Sequence, residues 1–206
     1  MNLFYNFWYF QNGLPKSLCN EIIKFAKSKK AKTAVTGKYA NKKLTKKEKL
    51  DLKKTRNSNV VWLNENWIYK EIAPFINTAN YNAGWNFEHS LFEEAQFTIY
   101  NKNQHYDWHV DAEKVPWPQE KGYLHGKIRK LSCTVLLNDP SEYEGGEFEF
   151  DYRNLENKSS NTEIVKELDR QGSIVVFPSF VYHRVKPVTK GTRYSLVIWI
   201  NGEPFR

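Results

Sequence analysis

The 206-residue sequence predicts an α+β fold that is mainly β, an antiparallel sandwich or barrel with helices from the N-terminal half packed on one sheet. Three observations carry this. After residue 90 the chain passes through about seven short β-type runs separated by turn residues. Before it, apolar residues recur at helical spacing. Hydrophobic residues make up 40% and aromatics 16% of the chain, enough to bury a core and too much for a disordered polypeptide. The length suits one domain with elaborations, here 1–206, and a composition change near residue 90 separates a helical support region (1–90) from a β-rich core (91–206).

The apolar stretch 1–10 lacks the basic region and small-residue cleavage site of a secretory signal and reads as a strand. Leu18, Ile22, Ile23, Phe25 and Ala26 predict a helix over 16–30, with Ser17 as N-cap and Glu21 in the first turns. Residues 46–54 are charged around Leu50 and Leu52, an exposed helix or an ordered loop. Asn59–Leu63 is a short strand, and Trp67, Ile68, Ile72, Phe75 and Ile76 mark a second buried helix over 64–80. The β-type runs follow at 92–100, 108–110, 128–138, 147–150, 172–177, 181–185 and 192–200. The intervening loop 112–126, with Pro116, Trp117 and Pro118, is long for a hairpin connection and reads as a lid or binding loop.

No apolar run approaches the roughly 18 residues needed to span a bilayer. Cys19 and Cys133 are too few for a disulfide framework and read as free thiols in a reducing compartment, the cytoplasm. The net charge of +8 is unevenly placed: 15 basic against 3 acidic residues over 16–56, and 3 basic against 10 acidic over 139–169. A lysine-rich helical face and a solvated acidic loop account for this, with attraction to an anionic partner as the alternative. Few aromatics interleave the lysines, which argues against a nucleic-acid site.

His109-Val110-Asp111 places two potential ligands at i and i+2, on one face of a strand. His183, on a separate β-type run, offers a third. Two imidazoles and a carboxylate leave coordination positions open, the arrangement non-haem Fe(II) uses to hold a cosubstrate and O2. Zinc competes as the metal, but no hydrolytic base or oxyanion arrangement accompanies the ligands. Ten residues beyond His183, Arg193 and Ser195 alternate onto one face of an apolar run. An inward guanidinium there needs an anion, and its planar fork suits a carboxylate.

With these residues in place the sequence resembles the iron(II)- and 2-oxoglutarate-dependent dioxygenases, and among them the prolyl 4-hydroxylase-like branch. The resemblance rests on Tyr100-x5-Tyr106-x2-His109-x-Asp111, Arg129-x2-Ser132-x3-Leu136-Leu137-Asn138, Gly145-Gly146-Glu147-Phe148, Gly172…Phe177-Pro178…His183 and Arg193-Tyr194-Ser195…Trp199. It covers the chain from about residue 90 onward closely and 15–90 loosely. It implies a double-stranded β-helix, or jelly roll, and Fe(II) held by His109, Asp111 and His183. Arg193 would bind the distal carboxylate of 2-oxoglutarate, with Tyr100 and Ser195 as further contacts. Tyr106, Arg129 and Trp199 match positions lining a peptide groove, and the loop around Trp117 would close it as a hinged hydrophobic lid. O2 is the second cosubstrate, and ascorbate is a further candidate cofactor.

The implied activity is hydroxylation of proline in a protein or peptide, with 2-oxoglutarate decarboxylated to succinate and CO2. Another amino-acid side chain or alkylated nucleic acid is the alternative substrate; relatives acting on nucleic acid usually carry a second Arg six residues beyond the first, where this chain has Trp199. A non-catalytic β-sandwich binding module is the third reading. Two positions depart from the family pattern: the turn 101–104 lacks the usual Gly, and Leu136 stands where some relatives have a Tyr. Both bear on 2-oxoglutarate binding rather than on the metal.

Overall fold

The computed structural model describes residues 2–39, 43–152 and 160–205. In chain order its elements are β1 (Trp8–Phe10), α1 (Lys16–Lys27), β2 (Lys32–Thr33), α2 (Lys46–Thr55), β3 (Arg56–Asn57), β4 (Asn59–Leu63), α3 (Asn66–Asn82), β5 (Leu91–Phe92), β6 (Ala95–Tyr100), β7 (His105–His109), β8 (Ile128–Leu136), β9 (Tyr143–Gly145), β10 (Phe148–Asp151), β11 (Thr162–Ile164), β12 (Ile174–Pro178), β13 (Tyr182–Val185), β14 (Val188–Gly191) and β15 (Arg193–Gly202).

The strands form a larger sheet ordered β1-β12-β8-β15-β6-β4-β2, with β5 on the far end of β15, and a smaller one ordered β11-β10-β13-β7-β3. β9 and β14 make a separate ribbon. Every pairing is antiparallel. The residues before 90 thus supply strands to both sheets as well as the helices.

Alternation along the central strands explains the layers. On β15, Leu196, Ile198 and Ile200 join a core with Ile22 and Ala26 of α1 and Ile68, Ile72 and Ile76 of α3. Burying each such aliphatic side chain stabilises by about 1.5–3 kcal/mol. Ser195, Val197 and Trp199 leave the same strand on the other face and line a pocket with His109, Phe148 and His183 of the smaller sheet. The helices therefore cover one face of the larger sheet, and the candidate site lies between the sheets.

Several local elements differ from the sequence reading. The first helix has Pro15, not Ser17, at its N-cap; the amides of Leu18 and Cys19 bond to the Pro15 carbonyl, and no acidic residue stands in the first turn. Proline at a helix start has its fixed φ already set and lacks only an amide that would be unpaired there. α2 is a regular helix because Thr45 and Glu48 form a capping box. The N-terminal strand is confined to Trp8–Phe10, along the β12 edge. Chain entry behind it depends on Gly172, at φ +86°, where a Cβ would collide with the Leu14 carbonyl oxygen.

The loop 112–126 is not structureless. It carries a 3-10 segment, Gln119–Leu124, and is pinned where Trp117 exchanges backbone bonds with Lys127 and Gly126 (2.8 and 2.9 Å). Among the described residues, the basic and acidic stretches meet at Lys16–Asp139 (3.2 Å), while Arg184 and Lys190 pair with Glu149 and Glu144. No described helix is long and apolar enough to cross a membrane.

Candidate active site

His109 ends β7 and faces His183 of β13 across the sheet as its register partner. Each imidazole donates its Nδ1–H to a carbonyl two residues back, Asp107 at 2.7 Å and Val181 at 2.9 Å, when Nδ1 carries the proton. That tautomer leaves both Nε2 lone pairs free for an ion. Asp111 lies beyond the strand, so strand alternation does not aim it. Its amide and that of Ala112 both bond to the Ser179 carbonyl at 2.9 Å, and this bend swings the carboxylate inward. Asp111 Oδ1 then stands 3.7 Å from His109 Nε2 and Oδ2 3.5 Å from His183 Nε2.

The ligand atoms of the three residues all lie within 4.8 Å of one another. Ser132 Oγ donates to Asp111 Oδ2 (2.8 Å) and lies 2.9 Å from Ser179 Oγ, which leaves Ser179 as the donor in that second bond. Burial pushes the Asp111 carboxyl up, but His183, His109 and Arg129 outweigh it and bring it down to about 2. Burial, reinforced by His183, holds His109 well below its ordinary 6.5. An ionised carboxylate and a neutral imidazole are the protonation states that metal binding requires.

Arg193 and Tyr100 are register partners on β15 and β6, and the guanidinium lies 5.7 Å from the phenol ring centre. Arg193 is 2% exposed and its Nη1 has no hydrogen-bond partner among the described residues. It sits one strand step beyond Ser195, which lines the pocket of the three ligands; Arg193 itself borders an adjoining cleft with Tyr143 and Gly146. Burial raises the Tyr100 phenol, so it is a hydrogen-bond donor near neutrality. The turn that lacks the family's Gly is closed by Asn103 at φ +65°, with Asn101 held by Gln104 and Thr192. Asparagine tolerates the left-handed region better than most residues. Leu136 is buried opposite Ser195.

Tyr106, Trp117, Arg129 and Trp199 line one groove that also reaches Asp111. Arg129 is not free within it. It makes two 2.6 Å bonds to Glu93, a third to the Asp111 carbonyl at 3.2 Å, and lies between the rings of Trp199 (4.2 Å) and Trp117 (5.3 Å). Asn201 connects Glu93 to the Trp117 indole, with bonds of 2.9 Å on each side. Trp117 is thus hydrogen-bonded to Asn201 on β15, the strand that also carries Ser195 and Trp199.

Sequence reasoning missed Arg56, Trp62 and Gln96, which line the same groove, and Glu93 and Ser179, which hold Arg129 and the Asp111 backbone. Arg56 closes a run of lysines and carries no local signal that separates it from them; Ser132 was visible as part of the Arg129-x2-Ser132 motif, and its bond to Asp111 gives that serine a role.

The donor set of two imidazoles and a carboxylate, within reach of one ion, fits a divalent iron with open positions. The buried Arg193 Nη1 without a partner fits an anionic cosubstrate beside it. A family model described as the 2OG-Fe(II) oxygenase superfamily matches residues 95–201, which contain all of these groups. The chain belongs to the 2OG-Fe(II) oxygenase superfamily.

Members of this superfamily use Fe(II), 2-oxoglutarate and O2. A PKHD-type hydroxylase of Xylella fastidiosa is 36% identical over 106 residues, 51% of this chain and 43% of that protein. The matched segment therefore spans less than half the length of that relative. Two solved structures share the fold. A viral collagen prolyl hydroxylase from Paramecium bursaria Chlorella virus-1 superimposes with a TM-score of 0.62 at 19% identity, covering 97% of each chain. A Pseudomonas putida prolyl-4-hydroxylase gives 0.64 at 18%, covering 98% of this chain and 95% of that one.

Proposed function

We propose that this oxygenase hydroxylates a proline residue of a protein or peptide, with 2-oxoglutarate decarboxylated to succinate and CO2. The observation that carries the reading is the cluster of His109, Asp111 and His183 at the end of an open groove walled by Trp62, Trp117, Trp199 and Tyr106. Such aromatic walls suit a polypeptide segment laid across them. The two prolyl hydroxylases whose fold the chain shares support the same substrate class, and the similar PKHD-type hydroxylase supports a hydroxylation.

In this reading Fe(II) is held by His109, Asp111 and His183, and when bound it supplies the O2 activation that couples decarboxylation to hydroxylation of a C–H bond. Arg193 holds the distal carboxylate of 2-oxoglutarate, and Tyr100 donates to it, with Ser195 alongside. Ser132 fixes the carboxylate plane of Asp111, and the Asp107 and Val181 carbonyls fix the two rings. Arg129, clamped by Glu93, holds the Asp111 backbone and the Trp117 loop, so that the groove wall and the ligand set keep one geometry.

We read the two facing sheets as the halves of a double-stranded β-helix, with residues 91–206 as catalytic core and 1–90 as its support. The buried free thiols of Cys19 and Cys133 suit a cytoplasmic site.

The test is incubation with Fe(II), 2-oxoglutarate, ascorbate and a proline-rich peptide in air. Peptide-stimulated succinate and a gain of one oxygen at proline are expected. Succinate release that no proline peptide stimulates, with the peptide unchanged, contradicts the substrate assignment.

A further inference from the structure

Arg56 lies in the wall of the groove. It is 5% exposed, its Nε donates to Ser58 Oγ (3.2 Å), and its Nη2 has no hydrogen-bond partner among the described residues. No acidic side chain pairs with it among the described residues. The contrast with Arg129, whose fork is filled by Glu93, is direct. A buried cation is costly unless paired, and a guanidinium that lines the groove with one nitrogen unpaired gains most from a ligand that brings the anion.

The position of Arg56 says where that anion sits. Its guanidinium carbon lies 4.4 Å from the ring centre of Tyr106, and Tyr106 in turn stacks on His109 at 3.5 Å between centroids. The two contacts place the guanidinium within about 8 Å of the His109 ring, the length of roughly two extended residues. The neighbouring sequence is also basic: α2, with Lys46, Lys47, Lys49 and Lys53 exposed, runs directly into Arg56, and Lys121, which lines the same groove, stands 4.9 Å from the Trp117 ring. Glu113 lines the same groove. Its carboxylate disfavours a phosphodiester backbone, which presents a charge at every residue, and tolerates one carboxylate seated at Arg56.

We infer that Arg56 is a specificity-determining residue that binds a carboxylate of the substrate, carried one or two residues from the position that is oxidised. The inference rests on the peptide-hydroxylase reading above and narrows it to acidic sequences. The carboxylate belongs to an Asp or Glu side chain or to a free C-terminus at that spacing.

The test uses the protein loaded with Fe(II) and 2-oxoglutarate under anaerobic conditions, titrated with synthetic proline peptides while the fluorescence of the groove tryptophans is followed. One amidated peptide carries Glu next to and two residues from proline, a second carries Gln there, and a third carries Gln with a free C-terminal carboxylate at the same spacing. The Glu peptide is expected to bind about tenfold or more tightly than the Gln peptide, with the third arm showing whether a chain terminus serves as well. The preference is expected to fall below about twofold in Arg56→Gln and to return in part in Arg56→Lys.

Equal binding of Glu and Gln peptides by the unmodified protein overturns the inference, and this comparison decides even if Arg56→Gln does not fold. A preference that persists in a folded Arg56→Gln overturns it too, as does displacement of the Glu peptide by a single-stranded oligonucleotide in an Arg56-dependent way. Arg56-dependent carboxylate preference without oxygen transfer to proline in air leaves the inference standing and removes proline as the target. Equal hydroxylation of Glu and Gln peptides does the reverse.

Discussion

Tyr106 lies flat on the imidazole of His109, with ring centroids 3.5 Å apart and planes 14° from parallel, while its phenol is pushed up to about 12 by burial. One side chain therefore braces a proposed metal ligand and forms part of the groove wall. Removing the ring in Tyr106→Ala is expected to weaken Fe(II) binding about tenfold, as loss of a group that orients a ligand typically does. Tyr106→Phe keeps the stack and most of that affinity. Metal titration monitored by the Fe(II)–2-oxoglutarate absorption band reads both.

Arg193 gives a prediction in which binding and stability separate. Its Nη1 is unpartnered among the described residues, so Arg193→Gln removes a buried charge that little around it compensates. The melting temperature is expected to fall by no more than about 3 °C, while 2-oxoglutarate affinity falls about a hundredfold. Calorimetry with and without 2-oxoglutarate distinguishes this from the opposite pattern, a large loss of stability with affinity kept.

The Glu93–Arg129 pair behaves differently because both ends are nearly buried and mutually satisfied. Glu93→Gln leaves the guanidinium without its counter-charge and is expected to cost about 3 kcal/mol in denaturant unfolding. Since Asn201 ties Glu93 to the Trp117 indole, the same variant is expected to speed proteolytic cleavage within 112–126. Unchanged cleavage would show that the loop is held by its own backbone bonds alone.

Burial keeps His109 neutral well below pH 6.5, and His89 is lowered by burial in the same direction. Unfolding releases these rings to their ordinary affinity for protons, so below about pH 6.5 the unfolded chain binds more protons than the folded one. The metal-free protein is therefore expected to lose stability as pH falls from 6.5, at up to about 1.4 kcal/mol per pH unit for each such ring, and to show little change from this source above it. Melting curves between pH 5 and 8 test the sign; greater stability at pH 5.5 than at 7 contradicts it.

Much of the site was legible because its chemistry is carried by residue type along single strands. Alternation on β15 separates Arg193 and Ser195 from the core-facing Leu196 and Ile198, and the run of residue types alone shows it. Asp111 was legible for a different reason than the one that operates: it is off the strand, and its direction is set by bonds to Ser179, far away in sequence. Arg56 was hidden because nothing local distinguishes a buried cation from the lysines before it. The strands β2, β3, β9 and β14 were equally hidden, being two to four residues long and defined by their partners rather than by any pattern of their own.

The central claim is that His109, Asp111 and His183 hold Fe(II) for a chelating 2-oxoglutarate. The most direct measurement is anaerobic addition of Fe(II) and 2-oxoglutarate to the metal-free protein and to Asp111→Ala, recording the visible metal-to-ligand charge-transfer band. The account predicts a saturable band in the unmodified protein and its loss in Asp111→Ala. No band in the unmodified protein, or an equal band in the variant, contradicts it.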